Sequence, residues 1–488
     1  MSKPALGIDL GTSSIKVCLL DEQGRTLGVA SQRYPTHSPQ AGWMEQDPQD
    51  WLTAFTKAMA ELSEMHEKAL ASLGSICFTS AAHIGVLLDS EDKPVRKAML
   101  WSDQRSTDQV KELLQAEDEI YAISANRPST SWTLPHFLWV KEREPELYAQ
   151  VRRACFSKDY LLHWLTGLWV TDPATAVSSM LYDCKEYVWS SRLLSYLDLS
   201  SNQLPHIMSP CEVVGTLLPE MATLLGLPEG VAVVNGSLDS ATETYGSGAR
   251  KAGDVVIRIG TAGGIHKLSE KPMQIRSLLT YPFPLDALWY SQAGTNAAGS
   301  AIGWATEQQG FPLDETGFAQ FDELAEKAPA GCEGLLFHPY LNGERTPYWN
   351  ASLRGTYSGL SFLHKRSHMA RAVLEGVCFS LKDALLALMK EDEIPPHIMV
   401  VGGGAKDLLL MEILSSVLNT TLHLVPRIDS AYGCARIGQL SLNDPTSLAM
   451  LDTVQSSSVV PCKEWVEVYA HAFVQYAKRS DTLVGMYS

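Results

Sequence analysis

The segment Leu6-Gly7-Ile8-Asp9-Leu10-Gly11-Thr12-Ser13-Ser14-Ile15-Lys16-Val17 sets one carboxylate directly before a turn of small residues, with an apolar run on each side. Successive backbone N–H groups in such a turn make a concave row that binds an oxyanion, phosphate being the usual one. Asp9 beside it is a place for Mg²⁺ and its waters, and Lys16 adds a point charge. Gly11 is expected to take a backbone conformation that a Cβ resists. The alternative is an ordinary hairpin with an exposed Asp. A second segment, Val255-Val256-Ile257-Arg258-Ile259-Gly260-Thr261-Ala262-Gly263-Gly264-Ile265, repeats the pattern. Aligned on Gly-Thr, Arg258 stands opposite Asp9, so the repeat keeps the turn and lacks the carboxylate. A copy about half a chain away implies two domains of one fold. One metal-holding Asp and two phosphate turns suit a nucleotide clamped between two lobes.

Other residues have types that suit a polyol. His83 follows the apolar run Ile76–Thr79 in a loop of small residues, where it reaches a sugar hydroxyl or packs in the core. Trp101-Ser102-Asp103-Gln104-Arg105 combines an aromatic face with charged hydrogen-bonding groups; a solvated salt bridge is the plainer reading. Asp239 follows Val231–Val234 and a small-residue loop, and precedes helix-compatible residues. In open α/β sheets, function gathers at the carboxyl ends of strands, so Asp239 suits a base for a sugar hydroxyl, an N-cap, or both. Gly402-Gly403-Gly404, after the strand-like Ile398–Val401, lets a nucleoside lie on bare backbone at the start of a helix through Leu409, Ile413 and Leu414.

The elements that hold these residues alternate between strand and helix. Asp21–Gly24 reads as a hairpin turn. Asp47 and Pro48 read as the N-cap and first position of a helix through Trp51, Phe55, Ala58, Met59 and Leu62. Trp43 and Glu45, just ahead of it, receive no task. Helices are also expected to open at Ser131–Val140, with Trp132 at the start, and at Ser157–Leu161. The segment Gly246–Asp254 reads as the domain boundary, giving domains over 1–247 and 248–488. Gly294–Trp304, with Gly299 and Gly303, should begin a helix whose bare face admits a flat ligand or a close neighbour.

Composition narrows the field. The 488 residues exceed a single core. A formal charge of −16 argues against nucleic acid as a partner, so an anionic ligand must be held by local amides and a metal. No run of about 18 apolar residues suggests a membrane span, and the N-terminus lacks a signal-peptide layout. Nine cysteines without a Cys-x-x-Cys pair fit reduced thiols in a cytoplasmic protein and make structural zinc improbable. Neither the Rossmann nor the P-loop glycine spacing occurs.

These segments together resemble the FGGY carbohydrate kinases of the actin-like ATPase superfamily, over nearly the whole chain. Asp9–Thr12 is similar to the family's first phosphate motif, Ile259–Gly263 to its second, and Gly402–Ala405 to its adenosine motif. Gly355–Leu360, through His368 to Ala372–Glu375, fits the family's second signature. Asn342–Pro347 resembles a loop of xylulokinases. The resemblance implies an α/β fold of two duplicated actin-like (ribonuclease H-like) domains with the active site in the cleft between them. It implies ATP and Mg²⁺, with Asp239 as catalytic base and Asp9 and Asp239 at the metal. Gly11, Thr12, Ser13, Lys16, Gly260, Thr261, Gly299, Gly303, Gly403, Gly404 and Ala405 fall on the nucleotide side. Ala82, His83, Trp101, Asp103, Trp132, Asp239 and Ser240 fall on the sugar side. The implied substrate is D-xylulose or a related ketopentose or polyol, with gluconate or another sugar acid as the alternative. A sugar or nucleotide sensor and an ATP-driven switch are the alternatives of other classes. The expected partners are a small sugar and, at most, a second copy of the chain. The sugar side departs from the xylulokinase pattern: Ala82 stands where Met is usual, Ser240 where Asn is usual, and His136 where the first family signature has Lys. Two smaller side chains suggest a larger or differently hydroxylated substrate.

Overall fold

The computed structural model describes residues 3–285, 287–425, 428–442 and 457–487. The chain divides into two compact units. The described residues of the first fall within 1–246, 280–289 and 429–453, and those of the second within 247–279, 290–428 and 454–488. Two pieces of the second half of the sequence, around Tyr281 and from Asp429 to Leu442, thus belong to the first unit.

The first unit is built on a six-stranded sheet. Its strands are β1 (Ala5–Leu10), β2 (Ser14–Leu20), β3 (Thr26–Arg33), β4 (Ser75–Ser80), β5 (Val213–Thr216) and β6 (Ala232–Leu238), in the order β5-β6-β4-β1-β2-β3. β1, β2 and β3 are antiparallel neighbours, β1, β4 and β6 run parallel, and β5 closes the edge antiparallel. β1 and β4 are buried along nearly their whole length because both faces are covered. The Pro48–Leu70 helix lies against β2 and β3 and buries Trp51, Phe55 and Leu62; the Ser430–Leu442 helix packs against β1 and β4. Asp47 caps the former, accepting from Gln49 N at 3.0 Å, with Pro48 at its first position.

The second unit repeats the plan. β7 (Val255–Ile259) and β8 (Gly263–Ser269) form the hairpin. β9 (Trp289–Thr295) flanks it, and β10 (His397–Val401), β11 (Thr421–Val425) and β12 (Ser457–Val459) continue a seven-stranded sheet, six strands of which run in the order β9-β8-β7-β10-β11-β12. β7 and β8 are antiparallel, β7, β10 and β11 parallel, and β12 antiparallel at the edge. Its core centres on the Arg366–Met389 helix, with Val373, Val377, Phe379 and Leu381 fully buried.

Three local expectations differ from the structure. β6 does not stop at Val234: it runs on to Leu238 through a shift of register against β4 between Val234 and Ser237. Gly236 makes this possible at φ +75, where a Cβ would lie 1.7 Å from the Phe78 carbonyl. The helix expected from Gly294 begins at Gly299, because Gly294 and Thr295 complete β9. The triple glycine does not open a helix directly: a 3₁₀ turn over Gly403–Lys406 intervenes, and the helix starts at Leu408 under an Asp407 cap. Among the described residues no helix is long and apolar enough to cross a membrane.

Candidate active site

In the first unit the carboxylates converge. Asp9, near the end of β1, pairs in register with Lys16 on β2, and Lys16 Nζ donates to Asp429 Oδ2 at 2.8 Å. Asp239 follows β6 directly as the first residue of the Asp239–Gly246 helix, its Oδ1 accepting from Ser240 N at 2.6 Å. Burial, then the negative charges of Asp239 and Asp429, hold the Asp9 carboxyl well above the ordinary range; Lys16 opposes them, and Glu243 adds to the rise. Asp9 Oδ1 is buried without a hydrogen-bond partner among the described residues. An orphaned carboxylate oxygen among like charges fits a hard divalent cation. Mg²⁺ is held through one or two carboxylates, waters and substrate phosphates rather than by an all-protein cage, and no cluster of three metal-ligating side chains occurs among the described residues.

The turn after Asp9 is braced from several sides. Gly11 N donates to Ser14 O at 3.1 Å, Tyr34 Oη donates to the Gly11 carbonyl, and Gln46 Nε2 donates to Thr12 O at 2.7 Å. Gly11 does not adopt the left-handed conformation expected of it; its bareness matters because a Cβ would come within 3.1 Å of Ser14 O. Thr12 is half-buried and Ser13 exposed. Trp101, largely exposed, donates from Nε1 to Thr12 Oγ1 at 3.1 Å.

A second corner of the same unit holds His83. It is buried at φ +70, a conformation rare outside glycine. Its Nδ1 lies 2.8 Å from the Ser178 carbonyl and therefore carries the proton, so Nε2 accepts from Tyr281 Oη at 3.2 Å. Burial lowers its pKa to about 4, which keeps the ring neutral. Trp132 meets the ring edge-on at 4.3 Å, and its buried indole N–H has no partner among the described residues. Ala82, beside it, is half-buried. Burial and the Asp239 charge both raise the Tyr281 phenol, which links this corner to the carboxylates. Sequence reasoning misses Tyr281, because it lies beyond the boundary segment, among residues assigned to the other domain.

Asp103 is enclosed rather than solvated. Its carboxylate accepts from Met44 N (2.6 Å), Arg105 N (2.9 Å), Arg105 Nε (2.9 Å) and Arg105 Nη2 (2.7 Å). The Arg105 guanidinium lies 3.7 Å over the Trp43 ring and pairs with Glu45 at 2.6 Å. Glu45 also pairs with Arg96. Trp43 and Glu45 thus hold Arg105, and through it Asp103, in place. His136 packs beside this pair and is held neutral by burial, its pKa lowered to about 4.

The second unit carries the glycine sites. Gly260 N donates to Ala262 O at 3.0 Å inside the β7–β8 turn. The Gly299–Gln308 helix docks on that turn: Gly299 N donates to Gly260 O (2.9 Å) and Ser300 N to Thr261 O (3.0 Å). Gly303 is half-buried on the same helix. Thr261 is exposed. Gly402 sits at φ +89 against the Ile259 backbone, and Gly404 faces the Ile259 side chain; Gly403 between them has nothing among the described residues within 4 Å of where a Cβ would stand, and Ala405 is buried behind. Glu344, in the Asn342–Pro347 loop, carries no role readable from sequence. Its buried carboxylate accepts from Thr295 Oγ1 (2.6 Å), Asn296 N (2.9 Å), Arg345 N (2.7 Å) and Ser380 Oγ (3.2 Å), tying the end of β9 to the core helix.

Comparison with known proteins also divides the chain in two, as two contiguous segments. Residues 4–246 match the N-terminal domain of the FGGY family of carbohydrate kinases and residues 255–439 its C-terminal domain. The chain is 30% identical to the xylulose kinase of Escherichia coli over 486 residues, covering 99% of this chain and 98% of that protein. It is 32% identical to the xylulose kinase of Bacillus subtilis over 422 residues, covering 86% and 84%. The solved xylulose kinase of Rhodospirillum rubrum superposes with a TM-score of 0.93 at 27% identity, covering 99% of this chain and 100% of that one. Matched in both halves, this chain belongs to the FGGY family of carbohydrate kinases, phosphotransferases that use ATP to phosphorylate a sugar hydroxyl.

Proposed function

We propose that the protein phosphorylates D-xylulose or a closely related ketopentose. The observation that supports this most directly is the meeting, within the first unit, of Asp239 with Asp9 on one side and the Tyr281–His83–Trp132 corner on the other. Asp239, at the carboxyl end of β6, takes the proton of the attacked hydroxyl. The hydroxyl oxygen then bonds to the γ-phosphorus as the bond to the β-phosphate oxygen breaks, and ADP leaves. The transition state is loose, so the protein contributes positioning and charge neutralisation.

Asp9 and Asp239 are the side chains that would hold Mg²⁺, which when bound neutralises phosphate charge. Gly11, Thr12, Ser13 and Lys16, with Gly260 and Thr261, present N–H, hydroxyl and ammonium donors to phosphate oxygens. Gly299, Gly303, Gly403, Gly404 and Ala405 leave bare backbone for the nucleoside. Neutral His83 and Trp132 orient the sugar from one corner, with Ala82 and Ser240 shaping the wall and Trp101 covering Thr12. Asp103, whose oxygens are engaged by Arg105 and Met44, acts on the sugar by holding that wall in place.

The test is ADP release from ATP and Mg²⁺ across ketopentoses, polyols and sugar acids, with Asp239→Asn alongside. Turnover on D-xylulose that falls by about 100-fold or more in the variant supports the reading. Turnover confined to a sugar acid refutes the substrate. Turnover indifferent to both sugar and substitution refutes the kinase chemistry assigned to Asp239.

A further inference from the structure

A buried charged network lies behind the two catalytic corners of the first unit and contacts the backbone of both. Lys158, without solvent exposure, donates from Nζ to Asp159 Oδ1 (3.0 Å) and Asn235 Oδ1 (3.0 Å) and pairs with Asp172 Oδ1 at 3.3 Å. Asn235 sits in the β6 bulge. Its Nδ2 donates to Thr171 O (2.9 Å) and Met208 O (3.0 Å). Two residues on, Ser237 Oγ donates to Asp172 Oδ2 at 2.7 Å. The bulge that redirects the last turn of β6, and with it Leu238 and Asp239, is therefore fixed by side chains rather than by sheet pairing alone.

The same Asp172 starts the other branch. It caps the Pro173–Ser178 helix, accepting from Ala174 N at 3.0 Å, and Thr175 Oγ1 donates to its other oxygen. At the far end of that helix Ser178 accepts from His83 N through Oγ (3.3 Å) and from His83 Nδ1–H through its carbonyl (2.8 Å). One ammonium and one carboxylate thus set both the strand that ends at Asp239 and the helix that holds His83 in its left-handed conformation.

We propose that Lys158 and Asp172 are positioning residues that fix the proton-accepting Asp239 and the sugar-orienting His83 relative to each other. This rests on the roles proposed above for those two side chains. A buried charge pair adds little net stability against apolar replacements. Its value here is geometric, because both ends of the network terminate on groups that must meet one substrate.

Ser237→Ala removes one hydrogen bond at the bulge, and Ser237→Thr keeps the hydroxyl. Lys158→Met removes the ammonium at similar volume. Because a displacement of about 1 Å costs up to about 100-fold, the expected fall in kcat on D-xylulose is about tenfold for Ser237→Ala and about 100-fold for Lys158→Met. The KM for D-xylulose rises in Lys158→Met, the KM for ATP stays as in the wild type, and Ser237→Thr recovers most of the lost kcat. Wild-type kcat and sugar KM in Ser237→Ala, whatever its melting temperature, would overturn the proposal, and that variant decides the matter where Lys158→Met does not fold. Asp239→Asn separates the two claims. A fully active Asp239→Asn removes the base assignment and this proposal with it; an inactive Asp239→Asn beside an unaffected Ser237→Ala removes only the positioning role.

Discussion

Replacing Asp9 by Asn should stabilise the protein in the absence of ligands while removing its response to Mg²⁺. Asp9 is half-buried, its Oδ1 is buried with no hydrogen-bond partner among the described residues, and Asp239, Asp429 and Glu243 oppose its ionisation while Lys16 favours it. An unsatisfied buried group costs about 1–3 kcal/mol, more when charged, and Asn occupies the same volume without the charge. In a domain of this size each kcal/mol moves the melting temperature by about 2–4 °C, so a rise of a few degrees is expected at neutral pH. The sign against pH follows from linkage. The folded pKa of Asp9 lies above the unfolded one, so the wild type has its full stability below the ordinary carboxylate range and loses it as pH rises through the raised value. The gain in Asp9→Asn should therefore shrink to nothing in acid and grow toward neutrality. Differential scanning fluorimetry with and without Mg²⁺, in the absence of nucleotide, reads both effects. Mg²⁺ should raise the melting temperature of the wild type and leave the variant unmoved. A variant that melts lower than the wild type at neutral pH, or that keeps the full Mg²⁺ shift, would refute the assignment of Asp9 as a charge held ready for a cation.

Two further outcomes follow from the geometry. His83 is neutral with a pKa of about 4, so the KM for sugar should show no histidine titration between about pH 6 and 8. As pH falls from about 6.5 toward 4, the unfolded chain takes up a proton that the folded ring refuses, and thermal stability should fall; a sugar KM that titrates near 6.5 would count against the neutral ring. In the triple glycine, Gly402→Ala meets a positive φ of +89 and Ile259 O at 2.6 Å, whereas a Cβ at Gly403 meets nothing within 4 Å. Gly402→Ala should lower the melting temperature and Gly403→Ala should not. If nucleoside lies on this backbone, Gly403→Ala should nonetheless raise the KM for ATP, and an unchanged KM would place the nucleoside elsewhere.

The parts legible in the sequence are those written in contiguous residues. A carboxylate before a Gly-Thr turn, its repeat at Gly260-Thr261, and the strand that ends at Asp239 each occupy a dozen residues or fewer, and strand pattern and turn chemistry are local signals. What stays hidden depends on contacts between distant segments. Tyr281 reaches His83 across 198 positions and Lys16 reaches Asp429 across 413, because described residues within 280–289 and 429–442 join the first unit from the far side of the boundary. Asp103 reads as part of a polar surface cluster because Trp-x-Asp-x-Arg is polar as text. Its burial is set by Trp43 and Glu45, some 60 positions earlier in the chain.

The two hairpins show how one backbone serves two electrostatic tasks. In both, a three-residue turn joins antiparallel strands, over 11–13 and over 260–262. At equivalent places stand Asp9, half-buried, and Arg258, exposed. The first turn adds a carboxylate to a cluster that already holds Asp239 and Asp429, which makes it a place where positive charge is missing. The second has no such carboxylate, and its carbonyls are taken up by the N–H groups of Gly299 and Ser300. A phosphate oxygen can approach backbone amides in either turn, but a divalent cation is attracted only to the first. On the roles proposed above, the change of charge type between positions 9 and 258 gives the metal-assisted step to the first turn and plain phosphate contact to the second.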